Sequence, residues 1–278
     1  MIAPFVDASW LAQHRSVVAV ADVRWYLDGH SGRAAFEAGH VPGAVFVELG
    51  EVLAGPPSDS EGRHPLPSPE RFAAGLGRLG IGADHTVVAY DDAGGVIASR
   101  LVWMLRILGQ PAAVLEGGLS SWDEPLESGP PASRPEVRVN PRDWPAERLA
   151  AIEEVAGTDA VLIDARDPAR FAGGPDPVDP RSGHIPGARS LPAAGNLRPD
   201  GRLRAREELR ERFAQAGIGE GSRVISYCGS GVSACHNLLV LEHVGLAPGR
   251  LYPGSWSQWS RDPRRPVQTG QGPDAARR

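Results

Sequence analysis

Short apolar runs alternate with amphipathic stretches along this chain. In the first half, residues 17–21 lead to Asp22 and residues 86–90 lead to Asp91. In the second half, residues 160–163 lead to Asp164 and residues 223–227 lead to Cys228. Runs this short, rich in β-branched residues and bounded by polar loops, predict buried parallel strands. Residues 69–79 and 206–216 carry helical spacing, and a further helix is predicted from near Ser233 through Leu241. Alternation of strand and helix predicts an α/β fold, each domain a parallel sheet with helices on both faces.

The pattern is stated twice. Gly39-His40-Val41-Pro42-Gly43-Ala44 recurs as Gly183-His184-Ile185-Pro186-Gly187-Ala188, and Val87-Val88-Ala89-Tyr90 recurs as Val224-Ile225-Ser226-Tyr227. Gly117-Gly118-Leu119 with Trp122 recurs as Gly254-Ser255-Trp256 with Trp259. The last two pairs share one offset, which predicts two tandem units with similar skeletons. The boundaries expected are an N-terminal domain over 1–128, a Pro- and Gly-rich linker over 129–145 and a C-terminal domain over 146–278. The tail from Arg261 onward is expected to be irregular or to wrap the surface. Repetition also provides an internal control. His40 and His184, or Arg24 and Arg166, occur in both copies and read as scaffold. What differs between the copies is a candidate for chemistry.

Composition narrows the class. A chain of 278 residues, 41% hydrophobic, can bury two cores of ordinary domain size. A net charge of -5 gives no support for a nucleic-acid surface. All 29 basic side chains are arginine, which grips planar and tetrahedral anions through a fixed fork of donors. Two cysteines, close together, do not make a disulfide scaffold. No signal peptide and no apolar run of about 18 residues is visible, so a soluble cytoplasmic protein without a membrane partner is expected.

The central difference between the copies follows the strand ending in Tyr: Asp91 in one, Cys228 in the other. The segment Cys228-Gly229-Ser230-Gly231-Val232-Ser233-Ala234 joins a predicted strand to a predicted helix. Gly229 and Gly231 let the backbone turn tightly with N–H groups inward. Those groups and the helix N-terminus would stabilise negative charge on the Cys228 sulfur. Cys235, on the following helix, reads as a buried structural residue. Cysteine phosphatases need an arginine six positions after the nucleophile, and that position is Ala234. What remains is sulfur transfer: the thiolate takes up a sulfane sulfur and passes it to a second nucleophile. Two acids of the first copy also become arginine in the second. Asp28 corresponds to Arg170, and Glu37 to Arg181. Both switches suggest an anionic substrate.

These residues resemble the two-domain rhodanese family of sulfurtransferases over nearly the whole chain. The matching motifs are Asp164-Ala165-Arg166, Arg170-Phe171, the Gly-His-Ile-Pro-Gly-Ala run, the loop from Cys228 to Ala234, and Gly254-Ser255-Trp256 with Trp259. The resemblance implies a silent N-terminal repeat and a substrate in the cleft between the units. It makes Arg170 a contact for the substrate carboxylate. Residues Gly229, Gly231, Val232, Ser233 and Ala234 become the walls of the site. Cys-Gly-Ser-Gly-Val resembles the 3-mercaptopyruvate branch, whereas the thiosulfate branch carries two cations in the loop. His64 resembles an N-domain histidine that joins a hydroxyl, here Ser230, in a Ser-His-Asp relay able to protonate the departing enolate. The family's aspartate falls near Gly50, flanked by Glu48 and Glu51, so this chain departs from the pattern there.

No metal-ligand spacing and no nucleotide-binding motif is present, so no cofactor is expected. The expected partners are a small anionic sulfur donor and an acceptor that is a thiol, cyanide or a thioredoxin-like protein. A thiosulfate-preferring rhodanese and a persulfide relay serving a protein partner remain as alternative readings.

Overall fold

The computed structural model describes residues 2–131 and 134–272; residues 132–133 of the expected linker and the tail beyond 272 lie outside the described residues. The chain divides into two compact units. One comprises Met1–Gly55, Leu66–Pro145 and Leu197–Leu203; the other comprises Pro56–Pro65, Ala146–Asn196 and Arg204–Arg278. Each unit thus takes in a short segment from the opposite half of the sequence.

The first unit contains β1 (Phe5–Val6), α1 (Ala8–His14), β2 (Val18–Asp22), α2 (Gly32–Ala38), β3 (Val45–Phe46), α3 (Pro69–Arg78), β4 (Thr86–Tyr90), α4 (Ser99–Ile107) and β5 (Ala112–Leu115). Its sheet has the order β1-β5-β4-β2-β3, and every pairing is parallel. Every residue of β2 is buried, so both faces of the sheet are covered. The unbroken apolar run preceding Asp22 is the sequence form of that environment. α3 starts where its sequence directs: the Ser68 hydroxyl accepts from the Arg71 amide and Pro69 occupies the first turn. Phe36, Phe46, Val88, Tyr90 and Trp122 form the core. Burying each large side chain contributes on the order of 2–3 kcal/mol.

The second unit contains α5 (Ile152–Val155), β6 (Val161–Asp164), α6 (Pro168–Ala172), β7 (Arg189–Ser190), α7 (Arg206–Gln215), β8 (Val224–Tyr227), α8 (Ala234–His243), β9 (Arg250–Leu251) and α9 (Ser255–Trp259). The four strands run parallel in the order β7-β6-β8-β9. Residues from Ala234 to Leu241 of α8 are all buried, which explains its apolar character on every side.

The central strands repeat in register. Asp22 lies opposite Tyr90, and Asp164 lies opposite Tyr227. The shared residues hold these strand ends. Arg24 grips the Asp22 carboxylate and the Gly39 carbonyl; Arg166 grips Asp164 and the Gly183 carbonyl, with the closest contacts of each between 2.6 and 2.7 Å. His40 stacks on Phe36 and His184 on Phe171, each with ring centroids 3.7 Å apart. The tyrosine hydroxyls accept from the Val41 and Ile185 amides.

Segments whose composition reads as linker and tail also have partners. Glu127 and His40 exchange main-chain hydrogen bonds of 2.9 Å, and the Gly129 and Val137 amides donate to the Glu37 and Gly77 carbonyls. Gln268 pairs with His184 in the same reciprocal way. Each repeat therefore sends the chain back to the histidine of its own Gly-His motif. No helix among the described residues is long and apolar enough to cross a membrane.

Candidate active site

β8 ends at Tyr227, and the next residue, Cys228, is 2% exposed. The turn that follows depends on Gly231, whose φ of 76° is a left-handed conformation suited to glycine. That conformation aims the Gly231 amide at Cys228 Sγ, 3.1 Å away. Below the turn, Cys235 Sγ donates to the Gly231 carbonyl at 3.4 Å. The loop backbone is gripped from the other side by the start of α9. The Cys228 amide donates to Ser255 Oγ at 3.2 Å, while the Trp256 and Ser257 amides donate to the Cys228 and Gly229 carbonyls at 2.9 and 2.8 Å. Ser255 reaches its place with φ at 52°, the one positive value at a non-glycine residue among those described.

Charged groups flank the loop. His64 Nδ1 and Ser230 Oγ are 2.8 Å apart, both within the second unit because residues 56–65 belong to it. Arg170 forks onto Asp176 with bonds of 2.8 to 3.0 Å and reaches Asp179 at 3.2 Å. Arg63 pairs with the other oxygen of Asp179. A Cβ placed on Gly229 would lie 3.0 Å from Arg63 Nη2 and 3.7 and 3.8 Å from the Arg170 terminal nitrogens. Both guanidinium groups therefore stand against the first turn of the cysteine loop, braced from behind by buried carboxylates. Burial works against ionised Asp176, but the Val178 amide and Arg170 hold its carboxyl below the ordinary range. Burial, reinforced by the nearby Asp176 charge, pushes Asp179 the other way despite Arg63 and Arg170. The two acids thus divide the work: Asp176 anchors Arg170, and Asp179 bridges the arginines.

Of the residues expected from sequence, Cys228, Gly229, Ser230, Gly231, His64 and Arg170 are brought together. Val232, Ser233 and Ala234 carry the loop into α8, where the Val232 and Ser233 carbonyls accept from Cys235 and His236. Arg181, expected to contact substrate, has a different task. Its guanidinium donates to four main-chain carbonyls, those of Trp259, Ser260, Asp262 and Arg265, at 2.7 to 3.0 Å. It fastens the segment that returns from α9 to His184, which is longer than its counterpart between Trp122 and Glu127 in the first unit. Sequence reasoning missed Arg63, Asp176, Asp179 and Ser257, and singled out Ser255 only as part of a repeated motif. Arg63 adjoins His64 in a stretch without a counterpart in the second half, the one signal that could have found it.

The sister loop shows what the scaffold does without a cysteine. Asp91 is fully buried, and its carboxylate accepts four amides: Ala93 and Gly95 on Oδ1 at 2.8 and 2.7 Å, Ile97 and Ala98 on Oδ2 at 2.7 and 2.8 Å. Burial raises this carboxyl above the ordinary range, against the four amides that pull it down. The Leu119 amide donates to the Asp91 carbonyl at 2.7 Å, as that of Trp256 does to Cys228. The position of Ser255 is taken by Gly118 with φ at 61°, and a Cβ there would come within 2.4 Å of the Asp91 carbonyl oxygen.

The rhodanese-like domain family matches residues 7–125 and again 147–262. A Pseudomonas aeruginosa protein named Probable 3-mercaptopyruvate sulfurtransferase is 40% identical over 264 residues, covering 90% of this chain and 92% of its own. The thiosulfate sulfurtransferase of Rattus norvegicus is 34% identical over 284 residues, with coverage of 95% and 93%. Among solved structures, the 3-mercaptopyruvate sulfurtransferase from Leishmania major superposes with a TM-score of 0.86 at 33% identity, covering 95% of this chain and 76% of that one. With both copies matched, the chain belongs to the rhodanese family and is built from two rhodanese-like domains.

Proposed function

We propose that this protein is a sulfurtransferase in which Cys228 carries the sulfur as a persulfide, with 3-mercaptopyruvate as the favoured donor. The observation that carries this reading is the Gly231 amide directed at Cys228 Sγ beside the His64–Ser230 pair. The Cys228 thiolate attacks the donor sulfur, and the bond from that sulfur to carbon breaks. The electron pair leaves on the pyruvate enolate. The proton first carried by the donor thiol ends on the enolate carbon, so a persulfide anion and pyruvate are the products. Ser230, hydrogen-bonded to His64, is the hydroxyl placed to shuttle that proton. Arg170, joined by Arg63, receives the donor carboxylate.

The outer sulfur then passes to a second nucleophile and restores the Cys228 thiolate. The acceptors proposed are a thiol, cyanide or a thioredoxin-like protein in the cytoplasm. Thiosulfate is the second donor, favoured by the paired guanidinium groups of Arg63 and Arg170 beside Gly229, which suit a dianion as well. The test is intact-mass measurement after incubation with each donor. Gain of one sulfur atom is expected in the native protein and not in Cys228→Ser. Absence of gain from either donor overturns the reading, and slow, equal loading from both favours the relay alternative.

A further inference from the structure

We infer that Ser257 is a positioning residue that sets His64 against Ser230. The inference rests on the proposed proton relay. A closed ring of contacts passes through this one residue. The Ser257 amide donates to the Gly229 carbonyl at 2.8 Å, and the next residue is Ser230. Ser230 Oγ lies 2.8 Å from His64 Nδ1. The residue before His64 is Arg63, whose amide donates to Ser257 Oγ at 3.0 Å. One serine thus holds the peptide before each member of the pair, by its amide on one side and its hydroxyl on the other.

The hydroxyl has its direction fixed. Its hydrogen goes to the Gly254 carbonyl at 3.0 Å, which leaves a lone pair for the Arg63 amide, and the side chain is fully buried. The segment it holds packs by backbone: a Cβ on Gly62 would lie 2.6 Å from Ser257 Oγ and 2.7 Å from the Gly254 carbonyl oxygen. Reciprocal main-chain hydrogen bonds between Ser58 and Gly62 tighten that segment, and the Gln258 side chain donates from Nε2 to the Ser60 carbonyl. The sister copy supplies a comparison. Ser120, at the corresponding place, also donates to the carbonyl three residues earlier, at 2.9 Å, yet it is exposed. The turn is common to both units, and the buried grip on a histidine segment belongs to the unit with the cysteine.

The test is a double-mutant cycle on the full chain with mercaptopyruvate. Ser257→Ala is expected to lower kcat by roughly 10- to 100-fold with KM little changed, because proton transfer tolerates only a small displacement of the ring. His64→Ala should lower kcat at least as far, and adding Ser257→Ala to it should cost nothing more. Unchanged kcat in Ser257→Ala, with His64→Ala impaired, overturns the inference and leaves the relay standing. An equal further loss in the double variant overturns it too, since Ser257 then acts apart from His64. Unchanged kcat in His64→Ala removes the relay and this inference with it. Should the alanine variant not fold, Ser257→Gly, which also lacks the hydroxyl, carries the same comparison.

Discussion

Replacing Asp91 by asparagine separates an acceptor from a donor at fixed size. The aspartate takes two amides on each oxygen. An asparagine amide has one oxygen and one NH2 group, so two of the four amides would face another donor. A buried N–H left without an acceptor costs about 1–3 kcal/mol, which gives about 2–6 kcal/mol for the pair. Relaxation of the loop recovers part of this, and we expect a loss of about 3 kcal/mol. Urea unfolding of the full chain, followed by tryptophan fluorescence, reads the change, since Trp103 and Trp122 are buried in the same unit. Asp91→Ala should be destabilised as well, but formate, the size of the carboxylate removed, should recover stability in that variant by entering the vacated cradle of amides. An asparagine variant within about 0.5 kcal/mol of the native protein would refute the reasoning, because the cradle would then be indifferent to charge and to donor placement.

Arg63→Ala and Arg170→Ala should each raise KM for mercaptopyruvate by roughly 10- to 100-fold, the effect of losing one charge-assisted hydrogen bond; unchanged KM in steady-state assays removes the residue from the binding site. Arg166→Lys should destabilise the protein by about 3 kcal/mol in urea, since lysine cannot hold both oxygens of Asp164 and the Gly183 carbonyl together; a shift below about 0.5 kcal/mol contradicts this. His236 is fully buried, and burial pushes it down to about 3. Because its folded value lies below its unfolded one, the unfolded chain binds a proton that the folded chain refuses. Stability should be complete above about pH 6.5 and fall by up to about 1.4 kcal/mol per unit as the pH drops toward 3. Unfolding measured at several pH values, with a flat profile from pH 6.5 to 4, would rule this out.

The strands and the cysteine loop were legible because their signals are local. An apolar run buried on both faces, a glycine where the chain must turn and a motif stated twice can be read without coordinates. Arg170 was found by comparing the copies, and so was Arg181, but the same substitution has two meanings. At 170 the arginine stands against the loop; at 181 it ties down carbonyls of the segment that returns from α9 to His184. Nothing in the sequence separates these cases, because the carbonyls that Arg181 binds lie 78 to 84 residues away. Arg63 and Ser257 were missed for a related reason. Their partnership spans 194 residues and involves a stretch with no periodicity to mark it. Proline content misled in the opposite direction, since a segment rich in it still donates its amides to the first unit.

The torsion at Ser255 has a bearing on how such twin copies drift apart. A left-handed serine carries a penalty of about 1 kcal/mol that glycine escapes, and the hydrogen bond from the Cys228 amide returns about as much. In the unit with the cysteine, glycine and serine at this corner are therefore nearly isoenergetic for folding. In the sister copy the exchange is closed, because a Cβ on Gly118 would meet the Asp91 carbonyl oxygen at 2.4 Å, so drift at this corner can run from serine to glycine in one unit and not from glycine to serine in the other.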